Sequence, residues 1–482
     1  MSAPFLTDFS DRISPMLVKE LRQGLRAKTF VALFLSLQVF LAVMLFSASA
    51  ASNSDQIGSV ISSLIFTFFS VAVLLVQPLR GISALSSEVK GNTIDMMVLT
   101  RLSALRIVFG KWVAIVSQSA LLLSTIIPYL ILRYFFGGMN LFAEIVALAM
   151  LFVTSLALTA VTVGLSGCTS VIVRSLIPIF GLPVLWISIT SFLFRGFGRS
   201  GGVMDIFSLT STDSQLAVTL YLATMVYVGG SMLSLGASLI APAAENHAFL
   251  RRLTALVSLL VVFILGFFEQ INKEPLIAAV FIIAIPAIMI ALNDAAPLVL
   301  TICKPFVKKR RVGRIIGWLF YPNWGSGIIY ATLIGLFSIA IILMPLSRNG
   351  SLNIDADDAA VFASLFGGLF FPAVWQVFFF RGEGQRIGHY LLILAGSLIL
   401  LGILTMLSEA MHSGLFLWAF AWNPLAFLPM LSHNDIPDDV ILIGAVIVDA
   451  VLLIILLVKA VQEIRKTRPI IEETITSLHD EI

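Results

Sequence analysis

Apolar runs of about 20 residues, the length an α-helix needs to cross the ~30 Å hydrocarbon layer of a bilayer, recur along the whole 482-residue chain. They fall near 29–50, 57–79, 107–131, 141–168, 174–195 and 215–241, and then near 251–268, 275–292, 326–346, 359–380, 388–408 and 439–458. Runs of this kind leave little room for charge. Only 12 % of the residues are charged, about half of what a soluble domain carries, which excludes a water-soluble fold. A thirteenth piece, 415–431, holds Pro424 and Pro429. It is too short and too broken to cross and is expected to be re-entrant or interfacial. The first run follows a basic amphipathic segment and shows no small-residue cleavage pattern, so it is expected to be a retained helix. The expected fold is an all-α integral membrane protein, a polytopic bundle of about twelve transmembrane helices.

The distribution of Lys and Arg tests both count and orientation, because basic residues gather in cytoplasmic loops. With both termini inside, the inner segments take Arg12 to Lys28, Arg80 to Lys111, Arg174, Arg251 and Arg252, Lys304 to Arg314, Arg381 and Arg386, and Lys459 to Arg468. Only Arg133, Arg195, Arg199, Lys273 and Arg348 of the 30 basic residues are left outside. Twelve spans with cytoplasmic ends are therefore expected, in a cell membrane of bacterial inner-membrane type. The segments divide as an interfacial piece over 1–28, a six-span module over 29–245, a second six-span region over 246–458 and a charged tail over 459–482. Six plus six with matching orientation is the pattern of a parallel repeat, although the halves share little identity.

The net charge of +3 implies no nucleic-acid partner. Cys168 and Cys303 have no close-spaced Cys or His and read as small apolar residues. The five His are dispersed, so neither a metal site nor a cofactor is expected. The basic loop Lys304 to Arg314 reads as a topology determinant that attracts anionic lipid. Arg133 and Glu144 read as a solvated pair flanking an outer loop. Asp449 sits near the middle of the last span, where a carboxylate is costly in lipid and should face protein. A protonated or hydrogen-bonded structural role is favoured over a substrate contact.

The loop Ser86 to Trp112 carries the strongest motif. Ile94, Met97, Val98, Leu102 and Leu105 recur at helical spacing, while Glu88, Lys90, Asp95, Arg101 and Arg106 fall mostly on other faces. One or two short amphipathic helices are expected at the inner surface, resting on lipid or offered to a partner. The loop also resembles the coupling-helix loop of the type-2 ABC-transporter permease family, in which an acidic residue precedes Gly-Thr, an apolar run, a Thr-Pro-apolar-Ser turn and a Gly-Lys opening the third span. The matching positions are Glu88, Thr93, Ile94 to Leu99, Thr100, Leu102, Ser103, Gly110 and Lys111, in step without a gap. Asn92 stands where the family usually has Gly, and Arg101 where it often has Pro. Pro15, Lys19, Glu20, Leu21, Arg22 and Arg26 resemble the family's surface helix before its first span, and Trp422 to Leu431 resembles its outer hairpin. The resemblance covers about residues 14–135 and extends more weakly to about 245.

The resemblance implies a permease subunit that moves a substrate, by export, with ATP hydrolysed by a separate ATPase subunit. Glu88, Thr93, Asp95, Thr100, Arg101, Ser103 and Arg106 would form the ATPase-coupling surface. The partners implied are that ATPase, the bilayer, and a second permease module, either another copy or this chain's own second half. No G-x-x-x-x-G-K-[ST] phosphate cradle and no catalytic constellation occurs in the chain, so no enzymatic activity of its own is expected. Two alternatives stay open: an ion-coupled secondary transporter using Asp449, and a non-transporting membrane scaffold.

Overall fold

A computed structural model of the chain describes residues 15–50, 57–91, 103–134, 140–168, 170–196, 207–242, 245–268, 273–294, 296–308, 310–347, 356–380, 386–413, 415–432 and 436–480. Among these residues every regular element is helical, and twelve helices are long and apolar enough to cross a membrane. Each falls on one of the twelve apolar runs of the sequence. The chain is an all-α, multi-pass membrane protein. It divides into two compact units, Met1–Gly167 with Arg174–Ile240, and Cys168–Val173 with Ala241–Ile482.

In the first unit, α1 (Pro15–Leu25) begins on a proline, whose missing N–H is no loss in a first turn. It is amphipathic, exposing Lys19, Arg22 and Gln23 while Leu17, Val18 and Leu21 turn inward. The spanning helices are α2 (Lys28–Ala50), α3 (Ile57–Ser70) with its continuation, α4 (Ala104–Tyr134), α5 (Leu141–Leu165), α6 (Ile177–Gly196) and α7 (Thr212–Ile240). The continuation of α3 is irregular: a π-helical stretch over Val71–Val76, helix over Gln77–Arg80, a 3-10 turn over Gly81–Ser83 and helix again over Ser86–Lys90. Pro78 explains the break, because it offers no N–H to the preceding turn. The carbonyl of Val73, which precedes Pro78 by the π-helical spacing, instead accepts from the Ser155 hydroxyl of α5 at 2.7 Å. Helices α5 and α7 approach closely through Gly164 and Gly236: a Cβ on Gly236 would lie 2.9 Å from the Gly164 Cα, and one on Gly164 would strike the Met232 carbonyl. Small residues at such a crossing let two backbones pack where lipid supplies no hydrophobic drive.

The second unit holds α8 (Ala248–Leu265), α9 (Lys273–Ala291), the short α10 (Leu300–Val307) and α11 (Arg310–Phe320), then α12 (Trp324–Ser347), α13 (Ala356–Phe379), α14 (Arg386–Met411) and α15 (Asp438–Asp480). The charged tail continues the last span as one helix of 43 residues. Its end is held by α10, where Ile470 and Ile471 pack with Leu298, Ile302, Cys303 and Tyr321. The piece between α14 and α15 does not form a span. It breaks into 3-10 turns over Leu415–Phe420 and Pro424–Ala426 and one helical turn over Phe427–Met430. Asn423 starts the second turn by accepting the Leu425 amide at 3.2 Å, and Leu417, Phe427 and Met430 are fully buried against Leu404, Ile441 and Ala445.

Candidate functional site

The loop motif opens on a cluster at the basic end of the first unit. Lys111, one turn into the apolar body of α4, is buried, and its Nζ lies 3.1 Å from Glu88 Oε1 and 3.1 Å from Glu20 Oε1. Three residues from separate stretches of sequence thus meet: Glu20 from α1, Glu88 from the end of the second span and Lys111 from the third. An ammonium removed from water needs such partners, and its three N–H groups can serve both carboxylates. Two turns further along α4, Arg80 donates to Gln77 Oε1 at 3.3 Å, to the Gly24 carbonyl of α1 at 3.4 Å and to Gln118 Oε1 of α4. The Ser86–Lys90 helix is anchored at its base, because the Leu85 amide donates to the buried Ser166 hydroxyl at the end of α5 at 3.0 Å.

Of the coupling residues expected from sequence, Glu88, Ser103 and Arg106 are described. The carboxylate of Glu88 is turned toward Lys111, with the side chain 17 % exposed. Ser103 precedes α4, its carbonyl accepting from the Arg106 and Ile107 amides at 3.0 and 3.3 Å. Arg106 is exposed. Thr93, Asp95, Thr100 and Arg101 lie outside the described residues, as does the expected amphipathic helix between Gly91 and Ser103.

Asp449 lies eleven residues into α15 and Gly367 eleven residues into α13, which places both about 16 Å along their helices at 1.5 Å per residue. They touch: a Cβ on Gly367 would fall on Asp449 Oδ1 and 2.8 Å from the Pro424 side chain. The segment around Pro424 therefore reaches back to mid-helix depth, where broken backbone is tolerated only if protein surrounds it. Asp449 Oδ1 is buried and has no hydrogen-bond partner among the described residues.

Glu144 corrects the sequence reading of a solvated pair. It is only 5 % exposed, and its Oε1 accepts from the Ser62 hydroxyl at 2.9 Å. The carboxylate sits in the first turn of α5, whose amides favour negative charge, and the fold covers it with the second span.

One constellation was missed. Arg251 and Arg252, read from sequence only for topology, are both buried and share Asp294: Arg251 Nη2 lies 2.6 Å from Oδ1 and Arg252 Nη2 2.8 Å from Oδ2. Arg252 Nη1 also donates to the carbonyls of Leu319 and Tyr321 at 2.7 and 2.9 Å, capping the end of α11. Its own carbonyl accepts from the Tyr330 hydroxyl at 2.7 Å. Next to this group Gln376 of α13 donates to Asn293 Oδ1 at 3.2 Å and to the Arg386 carbonyl at 2.5 Å. The available signal was an Arg pair opening one span and an Asp closing the next on the same side.

Cys303 and Tyr321, outside the spans, are both buried, and burial pushes the thiol and the phenol above their ordinary ranges. The chain matches no family model, no curated protein and no solved structure.

Proposed function

We propose that this chain is the membrane-spanning permease subunit of a type-2 ABC transporter, exporting a substrate with ATP hydrolysed by a separate ATPase subunit. The carrying observation is the Glu20–Lys111–Glu88 cluster, because it joins residues of the two motifs that resemble the family. A rigid tie between a surface helix, the base of the coupling loop and the third span is what a lever needs. Closure of an ATPase pair pushing on residues 91–103 would then shift α1 and α4 together, biasing two arrangements of the bundle. Both termini and the coupling loop lie in the cytoplasm in this reading, as the Lys and Arg partition supports. Glu88 acts by positioning the loop, while Arg106 and the flanking Asp95 and Arg101 meet the ATPase.

The test is affinity purification of the wild-type chain from its native membrane beside Arg101→Glu and Arg106→Glu. An ATPase with a phosphate-binding loop should co-purify with the wild type and be recovered at least tenfold less with the reversals, at unchanged membrane insertion. Equal recovery, or no ATPase at all, would reject the reading. A second reading rests on Asp449: its Oδ1, without a hydrogen-bond partner among the described residues and beside a re-entering segment, also suits an ion-coupled carrier.

A further inference from the structure

At the basic end of the second unit, the start of α8 and the short helices α10 and α11 enclose a cleft of about 580 Å³. That volume is within the ~300–1,000 Å³ usual for small-molecule sites. Its walls are apolar, formed chiefly by Phe249 and Leu253 of α8, Pro305 and Phe306 of α10, and Ile316 and Phe320 of α11. The outer face of α11 exposes Val312, Ile315 and Trp318, by 65, 72 and 53 %. A basic helix with such a face belongs in the plane of a lipid interface.

The charge on the stretch that carries α10 and α11 has one sign. Thr301 and Pro305 line the cleft, and Lys308, one further turn along the same face of α10, is exposed at its rim. Lys304, Lys308, Lys309, Arg310, Arg311 and Arg314 crowd one stretch, and the sequence holds no Asp or Glu between Asp294 and Asp355. Two acids on neighbouring elements are held by arginines: Asp294 meets Arg251 and Arg252, and Glu472 meets Arg468.

We propose that this cleft binds one anionic glycerophospholipid, with an acyl chain between α8, α10 and α11 and the phosphate against the exposed Lys308. A neutral lipid would offer no charge to the exposed Lys308, and a soluble anion would leave the apolar walls and the exposed face of α11 unused. The inference stands independently of the transport reading.

Native mass spectrometry of the full chain, delipidated in detergent and re-exposed to equal phosphatidylglycerol and phosphatidylcholine, tests it. The wild type should retain one phosphatidylglycerol with roughly tenfold preference, a difference of about 1.4 kcal/mol. Lys308→Gln with Lys309→Gln should bring the two lipids close to equal. Thr301→Trp, which fills the cleft from an exposed position without altering charge, should lose the retained phosphatidylglycerol, and Ile316→Trp should repeat the loss from the other wall. Equal retention of both lipids by the wild type would overturn the proposal. So would undiminished phosphatidylglycerol in both cleft-filling variants, which would mean diffuse attraction to a basic surface.

Discussion

Two guanidiniums divide one carboxylate at Asp294, and both are nearly dry, so neutralising that single acid leaves two cations facing an amide. Breaking a buried ionic group by removing one member costs about 3–5 kcal/mol. Asp294→Asn should therefore lower the thermal unfolding midpoint in detergent clearly, whereas an unchanged midpoint would mean that water already reaches the pair. Asp449 differs because its Oδ1 has no hydrogen bond among the described residues. Asp449→Asn should keep expression and, in vesicles carrying the chain alone, leave passive proton flux as in wild type. Flux present in wild type and abolished by Asn would favour the ion-coupled reading. At Cys303 the raised thiol pKa fixes a sign: less thiolate at pH 8 than a free cysteine has, so alkylation should be slow until the protein unfolds. Rapid labelling of folded protein would contradict the burial of that thiol. The sequence made Asp449 conspicuous because a charge inside an apolar run stands out. It hid Asp294 and Glu144, because a charge at the end of a run looks solvated until distant elements are known to cover it.

Lys111 decides how α1, the second span and α4 hold together. Lys111→Met would remove the cation that Glu20 and Glu88 share, a loss of about 3–5 kcal/mol by the same reasoning. It should also free α1, so amide hydrogen exchange over residues 15–25 should rise in the variant, and unchanged protection would show that apolar packing alone holds this helix. The spans were readable because a bilayer demands length and hydrophobicity, and both are written locally. The broken piece at 415–431 was readable for the same reason, through Pro424 and Pro429. Its depth was not, since that depends on Gly367 and Gly368 of α13 making room for Pro424 and Leu425. Nor was the convergence of Glu20, Glu88 and Lys111: each is separately ordinary, and only the path of α1 along α4 joins them.

The proposed orientation rests on the side on which Lys and Arg gather. Cysteines introduced singly at position 357 and at position 309 should label oppositely from outside intact cells, with reaction at 357 and protection at 309. The reverse pattern would invert the proposed orientation and remove residues 91–103 from the side where ATP is found. How the chain works rests in the end on what meets residues 91–103, and a photo-crosslinking amino acid in place of Arg101 reports that contact. Irradiation in native membranes should join this chain to a protein carrying a G-x-x-x-x-G-K-[ST] loop, with the yield changing on addition of ATP. Crosslinks to lipid alone, the same with and without ATP, would contradict an ATP-driven permease.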